Sequence, residues 1–163
     1  MRRESAETAH LFHHYGPVIY RRALRLLGCP EDAEEATQEV FVKFLRHHRG
    51  LKEPEKLLNW LYRTTTNHCL NQIRGRGRRA ALHSAYIDHR VRPEQPVEML
   101  TMQRLLADAP PKQAEAAVFV HIHGMSYREA AKVLGVSART VGNLLERFNT
   151  LAARRLRTDG GAQ

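Results

Sequence analysis

The chain has 163 residues, enough for one medium domain or for two small helical domains and a linker, and the spacing of its apolar residues favours two. It is 42% hydrophobic and 26% charged, a globular mixture with no apolar tract long enough to cross a bilayer, and its polar start, Met1-Arg2-Arg3-Glu4, directs no export. Membrane insertion is therefore not expected and a cytoplasmic location is, while 26 Lys and Arg against 17 Asp and Glu, a formal charge of +9, favour a polyanionic partner.

Between about Ser5 and Leu27 the residues Leu11, Phe12, Tyr15, Val18, Ile19, Ala23, Leu26 and Leu27 recur at three- and four-residue steps, which predicts a first helix. Pro17 removes one backbone donor inside it, and Gly28 suits a left-handed C-terminal cap. Pro30, Glu31 and Asp32 suit the first turn of a second helix. Its inward stripe is the clearest in the chain: Ala33, Ala36, Thr37, Val40, Phe41, Phe44 and Leu45. Glu34, Glu35, Gln38 and Glu39 then point mostly away from the core.

A loop punctuated by Gly50 and Pro54 follows, and then a third helix from about Glu55 to Arg74, with Leu57, Leu58, Leu61, Tyr62, Thr65, Cys69 and Ile73 inward. The run Arg-Gly-Arg-Gly-Arg-Arg and the stretch to Pro93 and Pro96 read as a linker. Four more helices are expected at Val97 to Ala107, Lys112 to His123, Tyr127 to Leu134 and Ala138 to about Arg157. No strand signal occurs, so the expected fold class is all-α. Two small helical domains, residues 5–76 and 97–157, would be joined by a flexible linker at 77–96.

Two segments carry functional signals. Tyr127 to Leu145 has the pattern of a helix-turn-helix: Ala131 at the crossing, Gly135 in the turn, Val136 closing it, Ser137 as N-cap and Val141 buried. The second helix would present Ala138, Arg139, Thr140, Asn143, Glu146 and Arg147, and Arg and Asn can each read a base edge with two hydrogen bonds. The third helix combines Trp60, Tyr62, Arg63, Asn67, His68, Asn71, Gln72 and Arg74, a surface suited to unstacked bases and phosphate. Trp60 and Tyr62 also suit a core, the commoner place for aromatic residues at helical spacing.

Leu26-Leu27-Gly28-Cys29-Pro30-Glu31-Asp32-Ala33-Glu34-Glu35, then Gln38-Glu39-Val40-Phe41 and Trp60-Leu61-Tyr62-Arg63 with Asn67, resemble region 2 of the extracytoplasmic-function (ECF) sigma factors of the sigma-70 family. Gly124-Met125-Ser126-Tyr127-Arg128-Glu129-Ala130-Ala131, Leu134-Gly135-Val136-Ser137 and Thr140-Val141 resemble region 4 of the same family. The resemblance runs from about residue 8 to residue 157 in family order. It implies a region 2 helical bundle, a region 4 helix-turn-helix, and a bacterial transcription initiation factor that leaves catalysis to the polymerase and needs no cofactor.

By the same resemblance, Asp32, Glu35, Gln38 and Glu39 would dock on the β′ coiled coil of core RNA polymerase. Trp60, Arg63, Asn67, His68, Asn71 and Arg74 would bind the −10 element of promoter DNA as single strand, and the loop from Arg49 to Asn59 would hold a flipped base. Ser137, Arg139, Thr140, Asn143 and Arg147 would bind the −35 element as duplex, and region 4 would touch the β flap. An anti-sigma factor is the expected inhibitory partner.

Gly142 and Leu144 stand where the family commonly has a Lys and an Arg, which implies weak or unusual −35 recognition or a protein partner for that helix. In the loop, Leu51 is the nearest counterpart of the family's usual aromatic residue. Two other readings remain: a stand-alone helix-turn-helix regulator, and a polymerase-binding protein inactive at promoters. No metal site is expected. Adjacent histidines such as His13 and His14 diverge by about 100° on a helix, and Cys29 and Cys69 lack paired metal-ligand spacing.

Overall fold

The computed structural model describes residues 2–47, 53–82 and 95–160, and among these there is no strand. None of the described helices is long and apolar enough to cross a membrane. The helices are α1 (Arg2–Leu27), α2 (Pro30–His47), α3 (Pro54–Leu82), α4 (Val97–Asp108), α5 (Pro111–Ala117), α6 (Tyr127–Leu134) and α7 (Ala138–Gly160). A π-helical turn, Val118–Ile122, continues α5. The chain divides into two compact units, Met1–Cys69 and Leu70–Gln163, so the division falls inside α3.

In the first unit α1 packs along α2 through a turn that the sequence specifies locally. Gly28 takes a left-handed φ of 66°, its N–H donates to the Leu24 carbonyl at 2.9 Å, and Pro30 opens α2 two residues later. The core joins Ile19, Val40, Phe41, Phe44, Leu57 and Leu61, and Tyr15 and Trp60 lie partly buried against it. Every residue of the expected α2 stripe is buried except the half-buried Leu45. Phe44 is fully enclosed, with the Tyr15 and Phe41 rings at 5.3 and 5.6 Å. Phe44→Ala is expected to destabilise this unit by about 3–5 kcal/mol, read as a lowered denaturation midpoint.

Two local bonds lock this core. Thr37 and Thr65 are buried, and each hydroxyl donates to a carbonyl four residues earlier, Ala33 at 2.6 Å and Leu61 at 2.8 Å, so neither leaves a polar atom stranded. The Arg22 guanidinium lies 3.5 Å from the centre of the Tyr62 ring and so ties α1 to α3. Burial pulls it below its ordinary pKa range, against the opposing pull of Tyr62.

In the second unit α5 and α6 both pack on α7, around Phe119, Val118, Leu106, Val141 and Leu145, all fully buried. Ser126 and Glu129 form a reciprocal cap at the start of α6: the Glu129 N–H donates to Ser126 Oγ at 3.3 Å, and the Ser126 N–H donates to Glu129 Oε2 at 2.8 Å. These bonds from Ser126 hold the Glu129 carboxylate below its usual pKa. Gly135 ends α6 with φ 68°, which an L side chain resists, and the Val136 N–H donates to the Ala131 carbonyl at 3.1 Å.

Two expectations about elements need correction. α3 does not end at Arg74 but runs eight residues further, through the glycine-containing arginine run to Leu82. The first part of the expected linker is thus helical, and residues 83–94 of it lie outside the described residues. The expected single helix from Lys112 to His123 is an α-helix only to Ala117, after which the chain widens into the π-helical turn, closed by the His123 N–H donating to the Val118 carbonyl at 2.9 Å.

Candidate nucleic-acid interface

On α2 the residues Glu35, Gln38 and Glu39 are exposed, and their spacing places them on one face. Val42, at the next step of that face, is 46% exposed, an apolar side chain at the end of an acidic row. Val42 lies off the expected inward stripe of α2, and no sequence motif singled it out. Asp32 stands apart from the row: it is only 2% exposed, buried at the first turn of α2. Next to it the Cys29 thiol donates to Glu31 Oε2 at 3.0 Å. Burial, and then this bond, push the thiol pKa up, while the same bond draws the Glu31 carboxylate down.

On α3 the residues Arg63, Asn67, Asn71 and Arg74 follow one another at steps of four, four and three, so they share a face opposite the buried side of the helix. Arg63 and Asn71 are exposed, and Asn67 and Arg74 are half-buried. Arg78 continues the same row, exposed, one step beyond the set the sequence singled out. Trp60 begins the row yet serves the core as well: its ring stacks on His47 at 5.5 Å and meets Phe44 at 6.3 Å. Of the stretch from Arg49 to Asn59 expected to hold a flipped base, residues 49–52, Leu51 among them, lie outside the described residues, and Pro54 to Asn59 are not loop but the start of α3.

His68 does not belong to this face. One residue past Asn67, it is turned by about 100°, toward Lys43, Glu39 and Glu35 of α2. Its Nε2 is buried without a hydrogen bond. Burial and then Lys43 lower its pKa from the ordinary 6.5, while Glu39 and Glu35 oppose them. A histidine whose folded pKa is lowered takes up protons more readily when unfolded, so stability is lost as pH falls from about 6.5 toward the lowered value. Thermal midpoints between pH 7.5 and 5 are expected to fall less in His68→Gln than in the unaltered chain.

In the helix-turn-helix, Ser137 and Thr140 hold each other. The Thr140 N–H donates to Ser137 Oγ at 3.1 Å, and the two hydroxyls lie 2.9 Å apart. They therefore fix the start of α7. Arg139, Asn143 and Arg147 are all exposed at successive steps of four, which places them on one face for a groove, with Glu146 exposed beside them. Gly142 faces the Tyr127 ring: a Cβ there would stand 3.6 Å from Tyr127 Cε2, in ordinary van der Waals contact. Leu144 is half-buried. Among the described residues no cluster of three or more His, Cys, Asp or Glu is placed to hold a metal ion.

The described residues thus combine an exposed acidic row, an arginine and amide row and a helix-turn-helix, with no strand among them. Residues 11–79 match the family model for sigma-70 region 2, and residues 99–147 match that for sigma-70 region 4, so the chain belongs to the sigma-70 family. It is 34% identical over 146 residues to ECF RNA polymerase sigma factor SigE of Mycolicibacterium smegmatis, which covers 84% of this chain and 56% of that protein. The chain thus spans little more than half the length of that relative. SigM of Mycobacterium tuberculosis is 28% identical, covering 90% of this chain and 75% of its own length. Among solved structures, CnrH in complex with the cytosolic domain of CnrY is 26% identical with a TM-score of 0.59, covering 95% of this chain and 90% of that one. Sigma factor RpoE in complex with the anti-sigma factor NepR, from Bartonella quintana, shares the fold at 20% identity, with a TM-score of 0.56 and coverage of 94% and 98%.

Proposed function

We propose that this chain is an RNA polymerase sigma factor of the ECF type, acting in the cytoplasm to direct promoter recognition and transcription initiation. The observation that carries this reading is the pairing, within the matched region 2, of an exposed acidic row on α2 with an arginine and amide row on α3. Glu35, Gln38, Glu39 and Val42 dock on the β′ coiled coil of core RNA polymerase. Asp32, being buried, positions the start of the helix. Trp60, Arg63, Asn67, Asn71 and Arg74 capture the −10 strand, with the arginines on phosphate and the amides on base edges. His68 supports that face from behind.

Residues 97–157 read the −35 duplex through Arg139, Asn143 and Arg147, held in place by Ser137 and Thr140, and they engage the β flap. Residues 5–76 carry polymerase and −10 binding, and 77–96 form the linker, helical as far as Leu82. We assign the chain no catalysis and no cofactor. An anti-sigma factor is the partner we expect to restrain it, a reading supported by the partners that RpoE and CnrH carry in their structures.

The test is run-off transcription from a library of upstream sequences by core polymerase with and without the chain. Discrete start sites that depend on the chain support the proposal. Polymerase binding without such starts would instead favour a promoter-inactive binding protein, and duplex binding without polymerase binding a stand-alone regulator.

A further inference from the structure

The geometry points to Tyr127 as a further specificity-determining residue: we propose that its ring, seated against Gly142, supplies an apolar contact to a thymine methyl group in the major groove. This rests on the reading of the second unit as a −35 duplex reader. Tyr127 is the first residue of α6, directly after Ser126, so the reciprocal Ser126–Glu129 cap fixes its backbone. The Ser137–Thr140 cap fixes the start of α7 four residues before Gly142. The ring therefore sits between two anchored helix starts, yet it is 48% exposed.

The contact at Gly142 shows how much room the ring leaves. A Cβ would lie 3.6 and 3.9 Å from Tyr127 Cε2 and Cδ2, which is ordinary van der Waals contact, so alanine would fit and would favour the helix by about 1 kcal/mol. Crowding at Cβ does not demand glycine. A longer side chain would have to displace the ring, because the two compete for one place at the edge of the reading face.

The chemistry of the ring then selects its target. Around the helix Gly142 is about 60° from Arg139 and about 100° from Asn143, so it borders the polar face on the Arg139 side. Those two supply hydrogen bonds to base edges, whereas Tyr127 brings a neutral aromatic surface. The one apolar group that the bases present in the major groove is the C5 methyl of thymine. Tyr127 thus supplies in trans, from the first helix of the motif, what position 142 of the reading helix lacks.

The test uses the full chain with core polymerase and the upstream duplex it selects best from a random pool. Each thymine is replaced singly by deoxyuridine, which removes only the methyl group. One replacement is expected to weaken binding by about fourfold, the scale of one buried methylene-sized group. Tyr127→Ala should then bind the thymine and deoxyuridine duplexes equally, and Tyr127→Phe should keep the preference. Gly142→Leu, which keeps the tyrosine but displaces its ring, should lose the preference, and Gly142→Ala should keep it. An unchanged ratio in Tyr127→Ala, or no methyl-sensitive position in the unaltered chain, overturns the inference and leaves duplex reading intact. Failure of the unaltered chain to select any duplex overturns duplex reading itself, and this inference with it.

Discussion

Replacing Glu35 and Glu39 together by lysine is expected to lower affinity for core RNA polymerase by two orders of magnitude or more, with helical content and thermal midpoint nearly unchanged. Both side chains are exposed, so the change spares the apolar core, and the midpoint is read at pH 8, where His68, which both carboxylates face, is neutral folded or unfolded. Both also lie beyond the first turn of α2, where the helix dipole no longer acts strongly. A reversed charge facing a complementary basic surface loses an attraction and gains a repulsion, and like-charge juxtaposition across an interface costs several kcal/mol. Asp32 must be left out of the variant. A lysine at a position 2% exposed would unfold the turn between α1 and α2 and mimic loss of binding. The check is a titration of labelled chain with core polymerase at two salt concentrations, with Glu35→Gln and Glu39→Gln together giving an intermediate loss. Full binding by the lysine variant would remove the acidic row from the interface.

The second large effect belongs to α3. Alanine at Arg63, Asn67 and Asn71 together should leave polymerase binding intact and reduce run-off transcription by at least about a hundredfold, since each contact to a base or phosphate contributes on the order of 1–3 kcal/mol. The three share one face and none is fully buried, so the helix should persist. Permanganate reactivity of thymines near the start site separates the steps: the variant should hold closed promoter but open little of it. Opening at the unaltered level would show that the strand is held elsewhere.

These rows could be read from the sequence because α2 and α3 keep a helical period over several turns, and burial follows that period. The turn of the helix-turn-helix was legible for another reason: Gly135 and Ser137 each have one local conformational task, and both perform it. Asp32 was misplaced because period alone cannot see cover. It lies seven residues before Glu39, at nearly the same angle on α2, yet one is buried and the other exposed. Position along the helix decides between them, and that is tertiary information. His68 lies off the face of Asn67, with which the resemblance groups it, because neighbours on a helix face different ways. The end of α3 was missed because two glycines in six residues read as a break, whereas each costs a helix only about 1 kcal/mol. The pairing of Tyr127 with Gly142 has no local signature, since it joins residues on two different helices.

Under the proposed function, the continuation of α3 also stores chain length that a fully extended linker would spend. Residues 75–82 hold two glycines and most of their side chains are exposed, and a Cβ at Gly77 would lie 4.0 Å from that of Ala107 on α4. A helix advances about 1.5 Å per residue and an extended chain about 3.3 Å, so unwinding eight residues pays out roughly 14 Å of tether. At about 3.4 Å per base pair that is roughly four base pairs. Under the proposed function that length is slack for promoters whose two elements are differently spaced, released by unwinding about two helical turns.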